Sequence, residues 1–141
     1  METIDQQLYT TTVSSKGGRD GHVRSEDGVI DLEMKAPKEL GGPGGASNPE
    51  QLFAAGYAAC FHSALTLVAS SQGVDTSDST VTSTVHLGKG SEGQYVLSVE
   101  IVAEIPSADA ETTQRVVDQA HRTCPYSRAT TGNIEVTVRA A

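Results

Sequence analysis

Tryptophan is absent, and phenylalanine and cysteine each occur only twice in the 141 residues. Two cysteines with no CxxC spacing do not make a permanent staple in a reducing compartment, so any pairing of them belongs to a reaction cycle. Basic residues are also scarce: ten Lys and Arg face 18 Asp and Glu, for a net charge of −8. They are scattered along the chain. Nucleic acid and anionic membrane surfaces, which are bound through clustered Lys and Arg, are therefore not expected partners. The opening METIDQQLYTTT has no basic segment leading into an apolar run, and neither end carries a lipidation motif. A cytoplasmic location is the expectation. The length suits one domain over residues 1–141 that can bury a core.

The chain is organised around a stretch that lacks charge. Between Glu50 and Asp75 there is no Asp, Glu, Lys or Arg. Asn48 is a good N-cap, Pro49 fits the first helical position, and Gln51 stands at the capping-box position, so a helix starts here. Leu52, Gly56, Ala59, Cys60, Ser63 and Leu67 fall on one face of it, with Phe53, Tyr57, Ala64 and Val68 on the flank. With no solvated side, the helix is expected to be buried and central, and Cys60 to face packing. Gln, Gly, Ser and His interrupt the run and its apolar residues are mostly Ala, which disfavours a membrane span.

Around that helix the sequence alternates as strands do. Leu8–Ser15, Val23–Glu26 and the row Ile30, Leu32, Met34 predict three strands, with turns at Lys16-Gly17-Gly18 and Asp27-Gly28. The Gly-rich segment 37–47 lacks both the phosphate-loop ending and the dinucleotide fingerprint, and is expected as a mobile loop over the helix start. Val81, Ser83, Val85 and Leu87 predict a fourth strand. A fifth runs from Tyr95 to Ile105 with Ser98, Glu100 and Glu104 on its outer face. Ser107 is expected to cap a second helix reaching about His121, with Ala110, Thr113, Val117, Ala120 and Cys124 in one stripe and Pro125 ending it. Ile134, Val136 and Val138 close the chain as a strand. The fold class is α+β, ordered βββ-α-ββ-α-β, with antiparallel sheets.

Chemistry concentrates at the cysteines. A thiol reacts as thiolate and needs a cation, a metal or a helix N-terminus to ionise at neutral pH. Cys60 lies too deep in its helix for the dipole to help, so a cation must come from elsewhere. Arg19, in a Gly-flanked turn, is the candidate, because a guanidinium stays charged when buried; Glu50, in the first helical turn, can hold it in place. Taken alone, these residues also read as an inert core thiol, a solvated turn arginine and a dipole-favoured acid. Zinc is a further alternative, since Cys60 with His62 and His121 with Cys124 look like ligand pairs. Residues two apart on a helix point to nearly opposite sides, which leaves too few ligands. No nucleophile elbow and no signature of a bound organic cofactor is present.

NPEQLFAAGYAACF around Cys60, AHRTCPYSRATTGNIEV around Cys124 and GGRDG around Arg19 together resemble the organic hydroperoxide resistance (Ohr) branch of the OsmC/Ohr superfamily. The resemblance spans nearly the whole chain in order. It departs at Arg128, where the family often has Asn, at Thr131, where it often has Arg, and at His62. It implies an OsmC-like fold in an intertwined homodimer and a thiol peroxidase in which Cys60 is peroxidatic, Cys124 resolving, and Arg19 with Glu50 activating. It implies organic hydroperoxides as substrates and lipoylated proteins as reductant, so that dihydrolipoyl groups act as co-substrate with no bound cofactor or metal. Phe53, Tyr57, Phe61 and Tyr126, close to the cysteines in sequence, are expected to line an apolar mouth for an alkyl tail. The competing expectation is a non-catalytic redox sensor or an apolar-ligand-binding stress protein.

Overall fold

The computed structural model describes residues 1–141 and contains two compact units, Met1–Pro49 and Glu50–Ala141. In the first, β1 (Val13–Lys16), β2 (Gly21–Ser25) and β3 (Asp31–Met34) form an antiparallel sheet in chain order. The β1–β2 turn uses Gly17 and Gly18 at φ 81° and 58°, left-handed values that glycine adopts without steric penalty. Arg19 follows them, half-buried. Asp20 at the end of the same turn accepts a 2.7 Å bond from Lys35, which holds its carboxyl below the usual range. β1 begins at Val13, later than alternation suggested; just before it, the Thr12 carbonyl accepts a 3.1 Å bond from the Glu26 N–H. The Gly-rich segment is more structured than a loose loop: it opens with a 3₁₀ turn over Lys38–Leu40, and Ser47 bridges back to Met34 in parallel.

In the second unit, α1 (Pro49–Ser71) leads to a second sheet of β4 (Thr80–Lys89), β5 (Tyr95–Glu104) and β6 (Val136–Ala140). β4 and β5 are antiparallel over their full lengths, but β6 runs parallel to β5, with Val136 beside Val99. The expectation of purely antiparallel sheets is corrected here. The connection from β5 to β6 is long enough to cross over, which a parallel pair requires, and it does so through helices.

Those helices are α2 (Ala110–Thr123) and α3 (Pro125–Thr130). Asp109, not Ser107, caps α2: its carboxylate accepts the Thr112 N–H at 2.7 Å, while the Ser107 hydroxyl donates to the Asp75 carbonyl. Pro125 does end α2, but it also starts α3 at that helix's first position. Cys124 is the joint between them, with extended backbone at φ −62° and ψ 124°, as a residue before proline prefers.

The core of this unit is built from Tyr57, Phe61, Leu65 and Val68 of α1, alternate residues Val99, Ile101 and Ala103 of β5, and Val116, Val117 and Ala120 of α2. α1 is long and apolar enough in composition to cross a membrane, yet Tyr57, Phe61 and Leu65 are completely covered by the protein's own residues, which marks it as a core helix. The face expected to be buried is only partly so. Ala59, Ser63 and Leu67 are exposed, Leu67 to 66%. The larger side chains at 57, 61, 65 and 68 decide which face packs inward, and the small residues follow. Cys60 sits where the covered face meets the open one, half-buried.

Candidate active site

Two structural accidents of sequence bring the cysteines together. Cys60 faces the α2–α3 joint from the middle of α1, and the joint itself carries Cys124. The Cys124 thiol donates to Cys60 Sγ at 3.6 Å, and both are free thiols. A disulfide needs about 2.0 Å between sulfurs, so closing the pair takes a shift of about 1.5 Å. Cys124 is completely buried, whereas Cys60 is partly open. Of the two thiols, Cys60 is therefore the one open to small molecules from solvent.

Burial pushes the Cys60 thiol above its ordinary pKa; the backbone N–H of Tyr126 donates to it and pulls the other way, and neighbouring Cys124 pushes it up again. That N–H lies in the first turn of α3, where helical N–H groups have no partner within the helix. Glu50 is in the first turn of α1, half-buried, ten residues before Cys60 and thus about 15 Å away along the axis. It can influence the sulfur only through another group. Arg19 lies in the β1–β2 turn of the first unit.

Next to the pair, Phe53, Tyr57 and Tyr126 form an aromatic cluster with ring centroids 5.7 to 6.5 Å apart. Phe53 and Tyr126 also line a largely apolar cavity of about 700 Å³, completed by Tyr95, Leu97 and Ile134. The other two expected lining residues do not belong to it. Phe61, one position past Cys60 and so turned about 100° around the helix, is fully buried in the core, and Tyr57 is buried behind the cavity wall. Tyr95, Leu97 and Ile134 come from the β5 end and the approach to β6, which no local pattern connects with a cysteine. Tyr126 can lie close to α1 because Gly56 has no side chain: a Cβ there would stand 2.9 Å from the Tyr126 hydroxyl oxygen.

The histidines near the cysteines are engaged elsewhere. His62 Nε2 is 2.8 Å from Ser79 Oγ, and His121 Nδ1 is 2.9 Å from Ser127 Oγ. Of the two positions where the sequence departs from the family pattern beyond Cys124, Arg128 is exposed, and the Thr131 hydroxyl donates to the Ser127 carbonyl at 2.7 Å.

A family described as OsmC-like protein matches residues 42–139, from before α1 into β6 and including both cysteines. The organic hydroperoxide resistance protein of Xanthomonas axonopodis pv. citri is 42% identical over 143 aligned positions, covering 100% of both chains. The organic hydroperoxide resistance protein OhrB of Bacillus subtilis is 46% identical, across 92% of this chain and 95% of that one. The chain belongs to the Ohr branch of the OsmC-like family. Its fold agrees with that assignment: the crystal structure of an organic hydroperoxide resistance protein from Legionella pneumophila superposes with a TM-score of 0.91 at 45% identity, covering 96% of this chain and 99% of that one. In this chain the parallel β6 and the broken α2–α3 helix belong to the architecture that carries both cysteines.

Proposed function

We propose that this protein is a thiol peroxidase that reduces organic hydroperoxides to alcohols. The observation that carries the reading is the 3.6 Å approach of a partly open thiol to a buried one. The names of its relatives, organic hydroperoxide resistance proteins, support the substrate class. The Cys60 thiolate attacks the peroxide oxygen farther from carbon, the O–O bond breaks, and the departing alkoxide takes a proton to become alcohol. Cys60 is left as sulfenic acid. Cys124 then attacks that sulfur, water leaves, and the disulfide forms. A dihydrolipoyl group on a partner protein returns both thiols by two successive exchanges, taking up the oxidising equivalents as lipoyl disulfide. Because Cys124 is buried, that exchange begins at Cys60 or follows movement of α3.

Arg19 supplies the cation that burial of Cys60 makes necessary, and it stabilises charge building on the peroxide oxygens; Glu50 holds the guanidinium. The cavity beside Phe53 and Tyr126 takes the organic part of the substrate, which hydrogen peroxide lacks. The uncharged open face of α1, with Ala59, Ser63 and Leu67 exposed, is covered by a second copy of the chain. Free thiols that close on peroxide and reopen on a dithiol suit the cytoplasm.

The test is turnover with an alkyl hydroperoxide and dihydrolipoamide. Many cycles per enzyme are expected, and faster than with hydrogen peroxide; a single oxidation with no recycling would instead make the protein a sensor. Gly56→Ala provides a check on the cavity. Its methyl displaces the Tyr126 ring while helix propensity rises by about 1 kcal/mol, so stability should change little. Rates with a bulky hydroperoxide are expected to fall severalfold relative to tert-butyl hydroperoxide. An unchanged ratio would remove Tyr126 from substrate selection.

A further inference from the structure

Buried polar groups that the chemistry above does not use lie immediately beside the cysteine pair. The Tyr57 hydroxyl donates to Ser127 Oγ at 3.0 Å and stands 3.1 Å from Thr130 Oγ1, while His121 Nδ1 lies 2.9 Å from the same Ser127 oxygen. Tyr57 and Ser127 have no exposed surface at all. Hydroxyls in a core are unfavourable unless they satisfy one another, and here they do. Burial lowers the pKa of His121, which favours the neutral ring. Neutral Nδ1 can accept from Ser127, whose oxygen accepts from Tyr57, so the chain runs in one direction from Tyr57 to Ser127 to His121.

The placement of this chain gives it a role. Tyr57 precedes Cys60 by three residues on α1, and Ser127 follows Cys124 by three on the other side. The hydroxyl contact and the sulfur contact are therefore successive rungs, one helical turn apart, between the same two pieces of backbone. One rung reacts and the other stays. α3 has only six residues and hangs from the extended joint at Cys124, so it has little helical stability of its own. His121, in the last turn of α2, reaches across the joint to Ser127 and ties the two helices together.

We propose that Tyr57, Ser127 and His121 are positioning residues that lock α3 onto α1 and so hold Cys124 Sγ and the Tyr126 N–H against Cys60 Sγ. They touch no reacting atom and act through the cysteines. The inference rests on the reading of Cys60 and Cys124 as a dithiol–disulfide pair. What the lock raises is the effective concentration of one thiol at the other, and hence the ease of disulfide formation.

The experiment is the equilibrium of the pair with dithiothreitol. Two protein thiols give two electrons and two protons to oxidised dithiothreitol, forming the protein disulfide and reduced dithiothreitol, and thiol trapping with mass detection reads the ratio. Tyr57→Phe keeps the ring and is expected to lower the constant for disulfide formation roughly tenfold, the worth of one buried hydrogen bond. Ser127→Ala is expected to do the same, and the double variant to be little worse than either single, because the two groups act as one contact. Melting temperatures of the reduced and oxidised forms are recorded alongside. A purely structural role lowers both alike and leaves the constant unchanged, which overturns the proposal; if Tyr57→Phe does not fold, Ser127→Ala decides in the same way. A wild-type pair that equilibrates with dithiothreitol but ignores alkyl hydroperoxide removes the peroxidase reading, while a shifted constant in the variants still supports the lock.

Discussion

Cys60→Ser is expected to lower hydroperoxide turnover by on the order of 10⁴-fold or more, since a serine hydroxyl stays protonated and cannot take a peroxide oxygen. Cys124→Ser separates the two halves of the cycle. Its Cys60 is expected to consume one equivalent of hydroperoxide at close to the wild-type rate, because in the proposed cycle Cys124 enters only after the O–O bond is broken. The sulfenic acid then has no partner within the chain, and excess peroxide drives it to sulfinic acid. Stopped mixing followed by mass measurement distinguishes the variants: unmodified protein for Cys60→Ser, and a gain of two oxygens at Cys60 for Cys124→Ser. Equal loss in both at the first step would mean that Cys124 contributes to the attack itself. The structure already supplies a reason to look, because the Cys124 thiol donates to Cys60 Sγ.

Arg19→Ala is expected to produce the other large effect. Burial raises the Cys60 pKa and the Tyr126 N–H offsets it, so a thiolate at neutral pH calls for a positive charge. In the proposed site a guanidinium beside the thiol lowers its pKa by roughly 1 to 3 units, so its loss should cut the thiolate fraction at pH 7 by up to about 10³-fold. The sign is fixed by the chemistry. Below the pKa the rate rises tenfold per pH unit, and above it the rate levels off; the variant's profile should therefore move to higher pH. Alkaline conditions should restore the part of the loss that reflects ionisation but not the part that reflects stabilisation of the peroxide oxygens. Alkylation of Cys60 by iodoacetamide across pH reads the first part alone. A profile that does not move would take Arg19 out of thiol activation. Glu50→Gln should shift the same curve in the same direction by less, as a residue some 15 Å along the helix from the sulfur acts through another group.

Much of this was written locally in the sequence. Asn48-Pro49 and the uncharged run after it announce α1, and β5 keeps the alternation that buries Val99, Ile101 and Ala103. The cysteines could be singled out because there are only two and each stands in a distinctive setting. What could not be read has a common cause, which is long-range placement. Pro125 looks the same whether it stops a helix or stops one and begins another, and the second case arises because α3 finds Tyr57 to bond with through Ser127. The direction of β6 depends on where α2 and α3 deliver the chain, not on its own alternation. In α1, Phe61 and Leu67 are both large apolar residues, and only packing against the sheet decides that the first is covered and the second open. The cavity shows the same limit. Tyr95 and Ile134 are distant in sequence from both cysteines, whereas Phe61, adjacent to one, is turned away.

One single-turnover measurement bears on the central claim directly. Reduced wild-type protein is mixed with one equivalent of an alkyl hydroperoxide, quenched with a thiol-trapping reagent, and digested for mass analysis. Complete consumption of the peroxide, release of one alcohol, and a Cys60–Cys124 cross-link lighter by two hydrogens are the expected result. Peroxide left unconsumed, with both thiols still open to the trap, would contradict it.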